Sequence, residues 1–151
     1  MKLRADASWE KIQRYKPRSQ IRHPNIPIEE AVEIVNRRPQ FFRLLMLNPV
    51  VPIWDLSEPD WLNRLSAPTQ IKIIQLRDMP PYQLVILAQL IASYINPFAE
   101  EVRRAIAACP DTPAIILRDL YLRSQSKCDW QLAGALARNT ALDPLLATSD
   151  R

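Results

Sequence analysis

An all-α fold is predicted by three features of the sequence. The 151 residues include 14 prolines but only one glycine, Gly134, so tight hairpins and phosphate-binding loops that depend on glycine are nearly excluded. Apolar residues recur at helical spacing in a series of short segments. Proline-rich corners separate these segments at a nearly regular interval, and proline is well suited to the starts of helices.

The corners define an internal repeat. A full Pro-x-x-Pro pattern occurs at residues 24–27, 49–52 and 110–113, and weaker versions occur at residues 80–81 and 139–144. The equivalent residues at the five corners are His23, Asn48, Asp78, Cys109 and Asn139, which gives spacings of 25, 30, 31 and 30. Such a period indicates stacked helical units that cover one another's apolar faces, and an irregular helical bundle is the alternative.

The clearest unit lies at residues 96–120. Asn96 is predicted to cap a helix in which Pro97 takes the first position. One face of that helix is apolar, formed by Val102, Ala105, Ile106 and Cys109. On the other face, Glu100 is expected to pair with Arg104 one turn later. Pro110 ends the helix, because it disfavours helical geometry at the residue before it.

A second helix of this unit is predicted to open at Thr112-Pro113. Its apolar stripe consists of Ile116, Leu117, Leu120 and Tyr121. The unit is therefore two short helices joined at a proline corner, each with one face that requires a packing partner.

This unit resembles the leucine-rich repeat variant family, which is related to the HEAT and armadillo helical repeats. The similarity is carried by Val102-Arg103, Ala105-Ile106-Ala107, Pro110, Pro113, Leu117 and Leu120. It implies a short right-handed solenoid of about four to five irregular units, and it implies no single activity. The family's first-described member is associated with an iron–sulfur cluster, which is carried on a separate cysteine-rich segment. Such a segment is missing from this sequence, so no cofactor is expected.

The other units follow the same plan. Short helices are predicted over residues 28–36, 39–47, 61–65, 68–76, 84–95 and 130–138. The segment from Leu84 to Ile95 carries no charge and is expected to form the most buried helix of the chain. Trp9, Ile12 and Tyr15 predict one or two helical turns that end before Pro17.

Positive charge is concentrated at the N-terminal end. Residues 1–22 carry a net charge of +5 and residues 23–151 a net charge of −1. We therefore divide the chain into a basic N-terminal arm or cap, residues 1–22, and a helical-repeat domain, residues 23–151. The residues that would contact nucleic acid or an acidic partner are Lys2, Arg4, Lys11, Arg14, Lys16, Arg18 and Arg22. A solvated segment that only keeps the protein soluble is the alternative interpretation.

No set of residues predicts catalysis or metal binding. His23 is the single histidine. It lies at a proline corner, so we expect it to have the same structural role there as Asn48 has in the next unit. The pairs Glu29-Glu30 and Glu100-Glu101 stand at helix starts, where the helix dipole accounts for them. Helical-repeat DNA glycosylases use aromatic and aspartate side chains on a concave face. Trp54-Asp55 and Trp61 are of the same residue types, but so small a set is a weak indication of that activity. Neither cysteine has a partner for a metal site, and Cys109 is expected to be a buried thiol.

The sequence therefore predicts a non-enzymatic module that binds another protein, with nucleic-acid binding through the basic segment as the alternative. The sequence contains no membrane span or signal peptide, so we expect a cytoplasmic protein. Leu142, Leu145 and Leu146 offer an apolar end through which the chain could form a homo-oligomer.

Overall fold

The computed structural model describes residues 9–139, and all regular secondary structure in that range is helical. The described α-helices are α1 (Trp9–Ile12), α2 (Pro17–Ile21), α3 (Ile28–Arg37), α4 (Phe42–Leu45), α5 (Val51–Ser57), α6 (Ala67–Gln75), α7 (Pro81–Leu90), α8 (Pro97–Ala108), α9 (Ala114–Ser126) and α10 (Trp130–Ala137). There are also two 3-10 helices, Pro39–Phe41 and Trp61–Arg64. The first opens the segment predicted as a helix over residues 39–47, and the second covers most of the helix predicted over residues 61–65. The predicted all-α class is confirmed for this part of the chain.

The described residues form two compact units, which divide between Ile73 and Ile74. Aromatic packing dominates the core of the first unit. Trp54 meets Trp61 edge to face, with ring centroids 5.3 Å apart, and Phe42 stacks on Trp61 at 6.3 Å. All three side chains are buried, and the indole Nε1 of Trp61 donates a 2.8 Å hydrogen bond to Asp55 Oδ1.

The basic segment is folded over the residues that the structure describes. Ile12 of α1 and Ile21 of α2 are completely buried. The side-chain amide of Gln20 ties the two helices together by donating to the carbonyls of Gln13 and Tyr15, both at 2.8 Å. Residues 9–22 are therefore part of the packed first unit.

The second unit contains the pair of helices that the sequence predicts most clearly. The Asn96 side chain caps α8 by accepting a 2.9 Å hydrogen bond from Ala99 N. Cys109 adopts an extended conformation and α8 ends before it, because Pro110 follows. Thr112 Oγ1 closes the corner with a 2.7 Å hydrogen bond to Ile106 O.

The packing of this pair agrees with the predicted register. Val102 and Ile106 of α8 are buried, as are Leu117 and Leu120 of α9. The helix α10 packs against both.

Helix α7 differs from its prediction. It ends at Leu90, and Ile95 lies beyond it with 74% of its surface exposed. Only Gln83, Leu84 and Leu87 of its ten residues are buried, whereas α3 buries five residues. The prediction that this would be the most buried helix is wrong, because a segment without charge can still present one face to solvent.

The side-chain amide of Gln83 is fully buried and has no hydrogen-bond partner within residues 9–139. Neither its Nε2 nor its Oε1 is bonded to any described residue. Gln83→Leu should therefore raise the free energy of unfolding by about 1–2 kcal/mol, because it replaces two desolvated polar atoms with apolar ones. Urea denaturation measures the change, and Gln89→Leu on the exposed side of α7 is the matched control. A destabilised Gln83→Leu variant would show that the buried amide is bonded in solution.

Candidate functional site

The basic residues selected from the sequence all lie on the protein surface where the structure describes them. Exposed side chains belong to Lys11, Arg14, Lys16, Arg18 and Arg22, and Lys2 and Arg4 lie outside the described residues. We call these five exposed residues the basic face. None of the five forms an ion pair with another residue in the range 9–139. The basic face therefore carries five cations whose charge is available to a partner.

His23 has a structural role that matches the role of Asn48. His23 Nδ1 accepts a 3.0 Å hydrogen bond from Asn25 N, and Asn48 Oδ1 accepts a 3.0 Å bond from Val50 N. Both side chains are buried and both close the same turn, two residues long, at their corner. The predicted equivalence of the two residues is confirmed.

A second hydrogen-bond pattern recurs between equivalent corners. Asn48 Nδ2 donates to Ile21 O at 3.1 Å and to His23 O at 2.9 Å. Asn139 Nδ2 donates to Ala107 O and to Cys109 O, both at 2.8 Å. In each case a corner asparagine bonds the equivalent residue of the preceding corner and the residue two positions earlier. We call this arrangement the asparagine clamp.

The residues that imitate a glycosylase site are used for packing instead. Trp54 is buried against Trp61, and Asp55 accepts the hydrogen bond of the Trp61 indole. An aromatic ring and a carboxylate that already bond to each other inside the first unit do not form an open concave site.

A half-open pocket of about 170 Å³ lies among α7, α8 and α9 of the second unit. Its apolar lining consists of Ala88, Ala92, Ile106, Ile116 and Leu120, and its polar lining consists of Gln89, Arg103, Asp119 and Arg123. No pattern in the sequence indicates this pocket. Its residues come from three helices, and their spacing in the sequence gives no sign that they meet.

Arg103 is a buried cation at this pocket. Its side chain is 3% exposed, and Nη1 lies 3.0 Å from Glu100 Oε1. Nη2 donates to the carbonyls of Ile91 and Tyr94 and so holds the turn after α7 against α8. Glu100 therefore pairs with Arg103 in α8, and the expected pair with Arg104 is wrong.

The second cation of the pocket, Arg123, is held less firmly. Its Nη1 lies 3.4 Å from Ala92 O and its Nη2 lies 3.9 Å from Glu100 Oε1. Its Nε is buried and has no partner in the described part of the chain. Burial, and then the charge of Arg123, lower the pKa of Arg103, and the carboxylates of Glu100 and Asp129 offset this only in part.

An exposed stretch of mostly apolar residues follows α7, and its first residue also lines the pocket. Residues 92–98 are all exposed, and they include Tyr94, Ile95 and Phe98. Ala92 belongs both to this stretch and to the pocket lining. The second unit therefore presents a pocket and a contiguous apolar segment to solvent.

The two cysteines are free thiols, Cys109 buried and Cys128 exposed. Within residues 9–139 there is no group of three or more histidine, cysteine or acidic residues that could hold a metal ion. Over the same range, no helix has the length and apolar character needed to cross a membrane. The leucines selected as an oligomer contact, Leu142, Leu145 and Leu146, lie outside the described residues.

No family model, no curated protein and no solved structure matches this chain. The geometry of the two candidate surfaces is therefore what bears on its function.

Proposed function

We propose that this protein is a non-enzymatic, helical-repeat module that binds another protein. The observation that carries the proposal is the half-open apolar pocket of the second unit, with the exposed stretch that follows α7. Large apolar side chains exposed beside a pocket are typical of surfaces that a partner covers.

We also propose that the units form a short right-handed solenoid of the leucine-rich repeat variant type. The asparagine clamp supports this architecture, since the same pair of hydrogen bonds recurs at two corners that the sequence period makes equivalent. Repeats that stack in this way offer an extended surface to partners. The location proposed for this module is the cytoplasm, where cysteines stay reduced.

Site-specific photo-crosslinking in the native cell tests the binding surface. A benzoylphenylalanine at Ile95, in the exposed stretch that begins at Ala92 of the pocket lining, should crosslink a partner protein. The same residue at Leu56, an equally apolar and exposed position on α5 of the first unit, is the matched control. Crosslinks from position 56 with none from position 95 would move the binding surface to the first unit.

A second candidate function is nucleic-acid binding through the basic face. The specific observation in its favour is that five exposed cations within residues 11–22 lack an ion-pair partner among the described residues. Phosphate backbones attract such a surface, and affinity then depends strongly on salt. Trp9 and Tyr15 lie in the same segment and are only partly buried, so they are available for stacking on bases.

A charge-neutral variant separates the two functions better than a truncation. Removal of residues 1–22 would delete the buried Ile12 and Ile21 and so unfold part of the first unit. We therefore change the five residues of the basic face to glutamine. If nucleic acid is the partner, the affinity of the wild-type protein for a mixed-sequence oligonucleotide should fall about 10²- to 10³-fold between about 50 and about 200 mM salt. The glutamine variant should have lost most of the wild-type affinity at the lower salt concentration.

If the partner is a protein held by the second unit, the glutamine variant should keep the crosslink from position 95. Its melting temperature should stay close to that of the wild type, because the five substituted side chains are exposed. Loss of that crosslink in a stably folded variant would favour a partner held by charge.

A further inference from the structure

We propose that the pocket of the second unit binds a peptide segment in which an apolar side chain stands next to a carboxylate. This inference rests on the proposed function and specifies the ligand of the same surface. It assigns the apolar lining to the side chain and Arg123 to the carboxylate.

The pocket has the size and lining for one apolar side chain. Its volume of about 170 Å³ is close to that of a buried apolar cavity, about 150 Å³, that accommodates benzene. Ile106, Ile116 and Leu120 are almost fully buried and line the pocket, and Ala88 and Ala92 leave space because their side chains are short. A leucine or phenylalanine side chain fits this space, whereas a longer segment has to continue along the surface.

Arg123 has unused capacity to bind an anion. Its contacts to Ala92 O and Glu100 are long, at 3.4 and 3.9 Å, and its buried Nε has no partner among residues 9–139. Glu100 is already in closer contact with Arg103, at 3.0 Å, so one carboxylate serves two guanidinium groups. The Arg123 side chain is 20% exposed, so a ligand carboxylate in the pocket would reach the exposed part of its guanidinium and form a charge-assisted contact there.

The acidic groups around the pocket limit where that carboxylate can lie. Asp119 lines the pocket one helical turn before Arg123, and its exposed carboxylate disfavours a second anion nearby. Asp129 acts on Arg103 from the N-cap of α10. The geometry therefore favours a ligand with a single carboxylate beside its apolar side chain over a run of acidic residues.

Three N-acetylated dipeptide amides test the proposal by titration of the full, isotope-labelled chain in NMR spectra. Leu-Glu carries both features, Leu-Gln lacks the charge and Ala-Glu lacks the large apolar side chain. Millimolar affinity is the expected range for such small ligands. Leu-Glu should shift the amide signals of Ala88, Ala92, Leu120 and Arg123, and should bind about tenfold more tightly than either of the other two.

Two variants, each with a matched control, assign the contacts. Arg123→Gln should reduce the affinity for Leu-Glu to that for Leu-Gln, whereas Arg118→Gln, an exposed residue of α9 outside the pocket, should leave it unchanged. Ala88→Leu should fill the pocket and weaken both leucine peptides, whereas Ala114→Leu at the exposed start of α9 should not.

Equal binding of Leu-Glu and Leu-Gln to the wild-type chain would overturn the proposal, as would the absence of shifts at the pocket up to about 20 mM peptide. These measurements use the unaltered protein and so do not depend on how the variants fold. A crosslinked partner at position 95 combined with no dipeptide binding would overturn the pocket ligand and leave the proposed function standing. Dipeptide binding without any crosslinked partner would overturn the proposed function and leave the pocket ligand standing.

Discussion

Ile106→Ala and Leu117→Ala are each expected to lower the free energy of unfolding by about 2–5 kcal/mol. Both side chains are almost fully buried, at 0% and 1% exposure, in the pair α8 and α9. Truncation removes apolar surface from the core and leaves a cavity that the neighbouring helices fill only in part. Chemical denaturation followed by circular dichroism measures the loss.

Ile115→Ala is the matched control for this pair. Ile115 also lies on α9 but is 67% exposed, so its truncation should change stability by less than about 0.5 kcal/mol. Core variants that unfold at the same denaturant concentration as the control would show that α8 and α9 do not pack through these faces.

Asn48→Ala and Asn139→Ala are each expected to cost about 2–4 kcal/mol. Each change leaves one buried carbonyl, that of Ile21 or Ala107, without a donor among the described residues, and it removes one of the two donors of His23 O or Cys109 O. The bonds that are lost join Asn48 to Ile21 and His23, and Asn139 to Ala107 and Cys109. Similar losses at the two positions are expected, since the two clamps have the same geometry. Thermal and urea denaturation of the single variants provide the comparison.

Two further substitutions separate the clamp from an ordinary surface hydrogen bond. Asn48→Asp keeps the acceptor for Val50 N but loses the donor at neutral pH, so it should be at least as damaging as alanine. Asn36→Ala removes one exposed bond, from Ser66 N at 3.0 Å, and should cost about 1 kcal/mol or less. If Asn48→Ala cost no more than Asn36→Ala, the clamp would not hold the corners together.

The sequence predicted the helices best where proline and a capping residue fix the boundary locally. Asn96 and Pro97 begin α8, Pro110 ends it, and the buried faces of α8 and α9 follow from helical spacing. The equivalence of His23 and Asn48 was also visible, because both precede the same Pro-x-x-Pro pattern and both make the same turn contact.

Contacts between distant segments decide the parts of the structure that the sequence does not predict. Arg103 is buried because the carbonyls of Ile91 and Tyr94 approach it from another turn, and no local pattern distinguishes it from the adjacent Arg104. The uncharged segment from Leu84 to Ile95 predicts a buried helix, yet Ile95 is exposed. The pocket depends on the same long-range packing, and so its residues were not identified.

The class of partner is measured most directly by affinity purification of the tagged protein from its native cells, with and without nuclease treatment. The same protein partner should be recovered in both preparations, and also with the glutamine variant of the basic face, because the second unit is proposed to hold it. Loss of every partner after nuclease treatment would contradict a protein-binding function and would favour nucleic-acid binding through the basic face.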